Sequence, residues 1–347
     1  MIRILIVDDS TINRAMLRHV FEQQPDMVVV GEAVNGLQAI EMAETCSPDI
    51  ITMDIFMPVL NGFDATRNIM SQKPIPIVIL SASIEPGEVE LCFHALEAGA
   101  VTAQQLPSTK DQASIDNLLS IIRTMSSITV HSIPTEPSPN YVFKTFSRST
   151  TPVVAIGSST GGPPILQKIL SRMPEDYSFP IAIVQHIAKG FTTGLVEWLN
   201  ASSQIEVKMA VNDEQMRPGT AYLAPDDYHM KVSPERTIVL SQEPPQNDIR
   251  PAVSKLFESL AKNCCPTAIG VILTGIGSDG AKELKMMKDA GAINIAQDIE
   301  SSIVFDMPRA AIQLGAVNHI LPPCRIASQL IAMAKQYQTS SESVFSN

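Results

Sequence analysis

The chain has 347 residues, of which 45% are hydrophobic and 18% charged, a composition typical of an ordered globular protein. Its formal net charge of -11 at pH 7 disfavours a nucleic-acid partner, because a phosphate backbone needs a basic surface. The length is that of roughly two domains.

The cysteines and the apolar runs indicate the compartment. The five cysteines are odd in number and show no CxxC spacing, which favours reduced thiols over a disulfide framework or a zinc site. The first apolar run is too short for a signal peptide and ends in Asp8 and Asp9. No window approaches the ~18 apolar residues that a membrane span needs. The sequence therefore predicts a cytoplasmic protein without membrane insertion.

Residues 1–125 alternate between short apolar runs and segments of helical periodicity. The predicted strands are Ile2–Val7, Met27–Val30, Ile50–Met53, Ile77–Leu80 and a less regular one near Ala100–Ala103. The predicted helices are Thr11–Gln24, Gly36–Cys46, Gly62–Met70, Glu88–Ala98 and Gln112–Met125. This alternation predicts a doubly wound α/β domain, a parallel sheet with helices on both faces.

Residues 126–151 are dense in Ser and Thr and contain Pro134, Pro137 and Pro139. Proline at this density interrupts both helices and strand ladders, so the segment is predicted to be a linker. It separates a first domain, 1–125, from a second domain, 152–338. Residues 339–347 are predicted to be a frayed tail.

The second half repeats the α/β alternation and predicts a second doubly wound parallel sheet. Its predicted strands are Val153–Ile156, Ile181–Gln185, Ala268–Thr274 and Ile293–Ala296, with a β-rich insertion over 206–241. Its predicted helices are Pro164–Arg172, Gly194–Asn200, Ala252–Lys262, Ala281–Ala290, Pro308–Leu314 and Arg325–Gln338.

Three carboxylates follow strands of the first domain. Asp8 and Asp9 come after the first strand and Asp54 after the third, so all three are expected at the carboxyl edge of the sheet. Converging like charges need a cation, and oxygen ligands suit Mg²⁺. A carboxylate beside such a cation can accept a phosphoryl group. The alternative is that Asp8 and Asp9 only cap the following helix.

With the segments DIFMP and NG, and with Ser81 at the end of the fourth strand, residues 1–125 resemble a response-regulator receiver domain. The resemblance implies a flavodoxin-like fold, phosphorylation of Asp54 by a histidine kinase, and Mg²⁺ held by Asp8, Asp9 and Asp54. It also implies that the hydroxyl of Ser81 follows the phosphoryl group.

Two positions depart from the receiver pattern. Leu106 stands at the family's lysine and Ala103 at its switching aromatic residue. That lysine normally pairs with the phosphoryl group and stabilises the active state, so its replacement questions phosphorylation-driven switching. Lys110 is close in sequence, and a further hypothesis is that it takes the place of the receiver lysine.

The segment Gly157-Ser158-Ser159-Thr160-Gly161 matches G-x-S-x-G and joins a strand to a helix. The pattern predicts either a nucleophilic Ser159 near backbone N–H groups or a glycine-rich phosphate cradle. The cradle is disfavoured because this loop is neither a G-x-G-x-x-G segment nor a P-loop with Gly-Lys-Ser/Thr.

A nucleophilic serine needs a base, and the base needs an orienting acid. Of the six histidines, only His186 directly follows a predicted strand. Asp279 follows another strand, and Asp298 is the competing acid. Parallel strands bring their carboxyl ends to one edge, so Ser159, His186 and Asp279 are predicted to meet there. The alternatives are a satisfied polar histidine and a helix-capping aspartate.

The order Ser, His, Asp, the receiver, and the segments AIGSSTGG, IVQHIAKGF and VILTGIGSDGA together resemble the chemotaxis protein-glutamate methylesterases of the CheB type. The resemblance implies a Rossmann-like serine hydrolase with nucleophile Ser159, base His186 and orienting Asp279, and makes the N–H of Ile276 a candidate oxyanion donor. It implies hydrolysis of glutamate γ-methyl esters and deamidation of glutamines on chemoreceptor helices, without a metal or organic cofactor.

The partners implied are chemoreceptors and a chemotaxis histidine kinase. Four positions near the expected cleft depart from the family pattern, which bears on substrate preference; they are Ala252, Ser254, Ile299 and Asp306. The alternative function is a catalytically weak or phosphorylation-independent regulator that binds receptor or kinase.

Overall fold

The structure is a computed structural model that describes residues 1–81, 86–108, 111–128 and 151–342. The chain divides into two compact units, Met1–Ser132 and Ile133–Asn347. Both are α/β units built on parallel sheets, which confirms the predicted fold class. The finer domain boundaries stay predictions. Lys110 and most of the proposed linker, 129–150, lie outside the described residues.

The first unit is a five-stranded parallel sheet in the order β2-β1-β3-β4-β5. Its elements are β1 (Ile2–Val7), α1 (Thr11–Glu22), β2 (Met27–Ala33), α2 (Gly36–Thr45), β3 (Ile50–Met53), α3 (Gly62–Gln72), β4 (Ile77–Ser81), α4 (Pro86–Glu97), β5 (Thr102–Gln105) and α5 (Gln112–Ser126). Strands β3 and β4 are buried along their whole length, as expected for a parallel sheet covered on both faces.

Short polar side chains begin the helices of this unit. Ser10, Asn35 and Asn61 each occupy an N-cap and accept a hydrogen bond from the backbone N–H three residues later. Because Ser10 caps α1, Asp8 and Asp9 are not needed as caps and remain at the carboxyl edge of the sheet.

The second unit contains a seven-stranded parallel sheet in the order β14-β13-β12-β6-β7-β9-β8 and an antiparallel pair, β10-β11. Its elements are β6 (Val153–Ser158), α6 (Gly162–Leu170), β7 (Ile181–Gln185), α7 (Thr192–Ala201), β8 (Glu206–Met209), β9 (Thr220–Leu223), β10 (His229–Val232), β11 (Ile238–Ser241), α8 (Val253–Asn263), β12 (Ala268–Ile272), α9 (Ala281–Asp289), β13 (Ile293–Gln297), α10 (Asp306–Gln313), β14 (His319–Leu321) and α11 (Pro323–Glu342).

The predicted β-rich insertion over 206–241 was partly wrong. Strands β8 and β9 extend the main parallel sheet, and only β10 and β11 form a separate pair. Strand β14 was not predicted, because three residues give too short a pattern. No helix in the described part of the chain has the length and apolar character needed to cross a bilayer.

Gly270 provides a test of the packing on the central sheet. A Cβ built there would lie 2.5 Å from Leu284 Cδ1 and 2.7 Å from Asn294 Oδ1, so the neighbouring side chains would have to move. We expect Gly270→Ala to lower the free energy of unfolding by about 1–3 kcal/mol, as overpacking does in other cores. Urea denaturation followed by fluorescence of Trp198, the single tryptophan, reports on this unit; an unchanged midpoint would contradict the prediction.

Candidate active site

The loop between β6 and α6 holds Ser159 beside the end of β12. The Ser159 N–H donates to the Thr274 carbonyl over 3.0 Å, so the hydrogen-bond ladder between the two strands continues past β6. Gly161 has a φ of 75°, and a Cβ there would lie 2.8 Å from Ile303 Cβ. Only glycine fits this turn without strain. The loop leaves Ser159 largely buried, with 9% of its surface exposed.

His186 directly follows β7, the neighbour of β6. Its N–H donates to the Ser158 carbonyl over 2.9 Å, and Ser158 pairs with Gln185 in the sheet. Ser159 and His186 are therefore the next residues along two paired strands. In the described structure their side chains are not hydrogen-bonded to each other, a contact that catalytic pairs often complete only when substrate binds.

The ring of His186 faces Asp279. Its Nε2 lies 3.0 Å from Asp279 Oδ2, within ion-pair distance but outside the alignment of a hydrogen bond, and both side chains are largely buried. The structure thus brings together the histidine and the aspartate that the sequence pairs, from loops after β7 and β12. With Nε2 facing the carboxylate, Nδ1 is the nitrogen free to face the rest of the site.

Asp279 is also held by the first residues of α8. Its Oδ2 accepts from the Val253 N–H over 2.6 Å and its Oδ1 from the Ser254 N–H over 3.1 Å. Burial alone would raise the pKa of Asp279, but the contacts with His186 and Ser254 outweigh it and lower that pKa. The carboxylate is therefore ionised at neutral pH. It caps α8 and not α9, whose N-cap is Gly280.

The competing acid has a different role in the structure. Asp298 Oδ1 accepts from the N–H of Ser301 over 3.2 Å and from its hydroxyl, and so closes a turn after β13. The carboxylate in contact with His186 is that of Asp279.

Gln185 and Thr274 form hydrogen bonds with the loop after β6, and the sequence patterns single out neither residue. Gln185 Oε1 accepts from the Ser158 hydroxyl, while its Nε2 donates to the carbonyls of Ser159 and His186. The Thr274 hydroxyl contacts the Thr160 carbonyl at 2.9 Å. The only signal in the sequence is that each is a polar residue at the end of a buried strand.

Ile276 lies one residue after Gly275, whose missing side chain makes room for Ser159. A Cβ on Gly275 would lie 2.6 Å from Ser159 Cβ and 2.3 Å from Met307 Sδ. The Gly275 N–H and carbonyl are already paired with Val304 and Met307. Ile276 is half-buried, and its N–H has no backbone acceptor among the described residues.

The acidic residues of the first unit converge as the sequence predicts. Oxygen atoms of Asp8, Asp9 and Asp54 all lie within 4.8 Å of one another. Burial and the nearby charge of Asp8 raise the pKa of Asp54 to about 7, and burial raises the pKa of Asp8. Such a cluster fits a divalent cation, because the charge of the cation would offset both the burial of these carboxylates and their mutual repulsion.

Other receiver positions line the same sheet edge. Ser81 ends β4 and is buried, and its carbonyl accepts from the Leu106 N–H over 2.8 Å. Ala103 is buried in β5. Arg14 holds the loop of the cluster, since its Nη1 donates to the Asp8 and Asp9 carbonyls over 2.8 and 3.0 Å.

Comparisons with known proteins match both units. The family described as CheB methylesterase matches residues 154–330, and the response regulator receiver domain family matches residues 4–112. A protein of Geobacter metallireducens named protein-glutamate methylesterase/protein-glutamine glutaminase 4 is 41% identical, over 97% of this chain and all of its own length. A relative of the same function from Nitrosospira multiformis is 40% identical, over 95% of this chain and 96% of its own.

A solved structure also resembles the second unit. The crystal structure of the Thermotoga maritima CheB methylesterase catalytic domain is 36% identical, with a TM-score of 0.52. The match covers 53% of this chain and the whole of that domain.

His229 is a buried histidine outside the candidate triad, and its contacts indicate a neutral structural residue. Its Nδ1 accepts from the Ala252 N–H and its Nε2 faces the Pro244 carbonyl, which fixes a neutral ring. Burial lowers the pKa of His229, so the unfolded chain takes up a proton that the folded chain refuses. We expect stability to fall as pH drops through and below about 6.5, the ordinary histidine value.

The variant His229→Gln keeps a donor and an acceptor but cannot titrate. Urea denaturation followed by Trp198 fluorescence, at pH 7.5 and pH 5.5, should show a smaller pH effect in the variant. An equal pH effect in both proteins would contradict the assignment.

Proposed function

The chain belongs to the CheB methylesterase family, and we propose that Ser159, His186 and Asp279 carry out its reaction. The activity is that of a protein-glutamate methylesterase and protein-glutamine glutaminase, in a chain that also has a receiver domain. The observation that carries the assignment is the 3.0 Å contact between His186 and Asp279, next to the strand end that holds Ser159.

The reaction is an acyl transfer. Ser159 Oγ attacks the γ-carbonyl carbon of a methylated glutamate while Nδ1 of His186 takes the hydroxyl proton. The bond to the methoxy group breaks, and methanol leaves with that proton; from glutamine, ammonia leaves instead. His186 then deprotonates a water molecule that attacks the acyl carbon, which releases the glutamate and restores Ser159. None of these steps uses a metal or an organic cofactor.

Asp279 and Ile276 support the charges that develop. The ionised Asp279 keeps a proton on Nε2 of His186 and stabilises the imidazolium that forms during attack. The N–H of Ile276 is the candidate donor to the oxyanion, since Gly275 opens space directly beside Ser159.

The receiver domain regulates the esterase through phosphorylation of Asp54. Asp8, Asp9 and Asp54 would hold Mg²⁺, which neutralises the phosphoryl oxygens when bound. The hydroxyl of Ser81 follows the phosphoryl group. The partners are a chemotaxis histidine kinase, which supplies that group, and the cytoplasmic helices of chemoreceptors, so the site of action is the cytoplasm.

A second candidate function keeps the esterase but not the switch. Leu106 is an aliphatic side chain at the position of the receiver lysine, and Ala103 is small and buried. Without a cation from that lysine, phosphorylation of Asp54 would change the receiver less, and the chain would act as a phosphorylation-independent regulator bound to receptor or kinase.

Substitution of a catalytic side chain by a residue of nearly the same shape should cause a large loss of esterase activity. We expect Ser159→Ala and Asp279→Asn each to lower kcat for methanol release from a methylated chemoreceptor by a factor on the order of 10³ to 10⁴. Asp298→Asn is the matched control, because an amide oxygen can still accept from Ser301. Activity of Ser159→Ala equal to wild type would remove the catalytic assignment.

The receiver makes a separate prediction. Incubation with acetyl phosphate and Mg²⁺ should add the mass of one phosphoryl group, and both Asp54→Asn and chelation with EDTA should prevent it. We expect Leu106→Lys to increase the esterase activation that phosphorylation gives, because a lysine cation would pair with the phosphoryl group. A wild-type chain that gains no mass would show that Asp54 is not a phosphoryl acceptor.

A further inference from the structure

We propose that Gln185 is a positioning residue that fixes the nucleophile Ser159 and the base His186 relative to each other. The inference rests on the proposed function, since it assumes the roles of those two residues. Gln185 is the last residue of β7, and it is buried, with 5% of its surface exposed.

The Gln185 amide makes three short contacts at the site. Its Oε1 accepts from the Ser158 hydroxyl over 2.6 Å. Its Nε2 donates over 2.7 Å to the Ser159 carbonyl and over 2.7 Å to the His186 carbonyl. One amide nitrogen therefore joins the main chains of the candidate nucleophile and base.

The chemistry of these contacts is specific to an amide. Two carbonyls need two N–H donors, and the hydroxyl of Ser158 needs an acceptor. Glutamate would offer acceptors only and would face two carbonyl oxygens. Methionine fills a similar volume but removes the amide donor from both carbonyls. The Ser159 carbonyl would keep only the Gly162 N–H at 2.8 Å, and the His186 carbonyl would lose the Gln185 donor, at a cost typical of a broken buried hydrogen bond.

Gly162 shows how closely the loop is built around this side chain. A Cβ on Gly162 would lie 2.1 Å from Gln185 Oε1 and 2.9 Å from Ser158 Cβ. The start of α6 is thus shaped to admit the amide. The contacts of the Gln185 amide are with the Ser158 hydroxyl and with two main-chain carbonyls, so it acts through the residues that it joins.

Asn294 offers a matched control in the same sheet. Its Nδ2 also donates to two buried carbonyls, those of Leu284 over 2.6 Å and Ala316 over 2.9 Å. The side chain is fully buried, and its contacts involve neither Ser159 nor His186. Loss of the Asn294 amide should therefore cost stability without disturbing the pair.

The test measures the reactivity of Ser159 with an alkyl fluorophosphonate in the full chain. Oγ of Ser159 forms the bond to phosphorus, fluoride leaves, and His186 takes the proton. We expect Gln185→Met to lower the maximal rate of labelling by ~10- to 100-fold with an unchanged half-saturating probe concentration, as misplacement of reacting groups does. Asn294→Leu should keep the wild-type maximal rate, and Trp198 fluorescence identifies variants that have folded.

Ser158→Ala removes one anchor of the amide and is the smaller change. We expect it also to lower the maximal labelling rate. If Gln185→Met does not fold, Ser158→Ala by itself tests the role of Gln185. A wild-type rate in a folded Gln185→Met or in Ser158→Ala, or an equal fall in Asn294→Leu, would overturn the role of Gln185. Absence of labelling at Ser159 in the wild-type chain would instead overturn the proposed nucleophile.

Discussion

The pairing of β6 with β7 on one side and β12 on the other is the constraint on which the active site depends. Each of the three candidate catalytic residues follows one of these strands. Backbone hydrogen bonds continue both ladders past the strands, from Ser159 to the Thr274 carbonyl and from His186 to the Ser158 carbonyl. The main chain at the candidate nucleophile and base is therefore set by the sheet, and rigid strand ends hold such residues more precisely than free loops do.

The sequence could predict the residues that meet at this edge but not the contacts that hold them. Ser159, His186 and Asp279 each follow an apolar run, and parallel strands bring their ends together. The Gln185 contact with Ser159 spans 26 residues, and the Thr274 contact with Thr160 spans 114. No local pattern encodes such distances. The same limit explains the error at β8 and β9, whose place in the main sheet depends on tertiary pairing.

Each unit places a carboxylate at the carboxyl edge of its parallel sheet, but the pKa values of the two carboxylates shift in opposite directions. Asp54 and Asp279 are both carboxylates that burial alone would make harder to ionise. Asp279 receives backbone N–H groups from α8 and faces His186, so its pKa is lowered. Asp54 faces Asp8, and its pKa rises to about 7. Burial acts to raise the pKa of both carboxyls; the charge of Asp8 adds to it at Asp54, whereas the contacts with His186 and Ser254 outweigh it at Asp279.

This contrast bears on the two proposed sites, because a cation would favour the ionised form of the acidic cluster, whereas Asp279 is ionised without one. A carboxyl with a pKa near 7 is partly protonated at neutral pH, and the protonated form is a poor nucleophile for a phosphoryl group. A divalent cation at Asp8, Asp9 and Asp54 would restore the ionised form before phosphoryl transfer can begin. A lysine at the position of Leu106 would matter only at a later step, because it would pair with the phosphoryl group after transfer to Asp54. In the proposed switch, replacement of that lysine would therefore weaken the response to phosphorylation and leave the proposed chemistry of Asp54 in place.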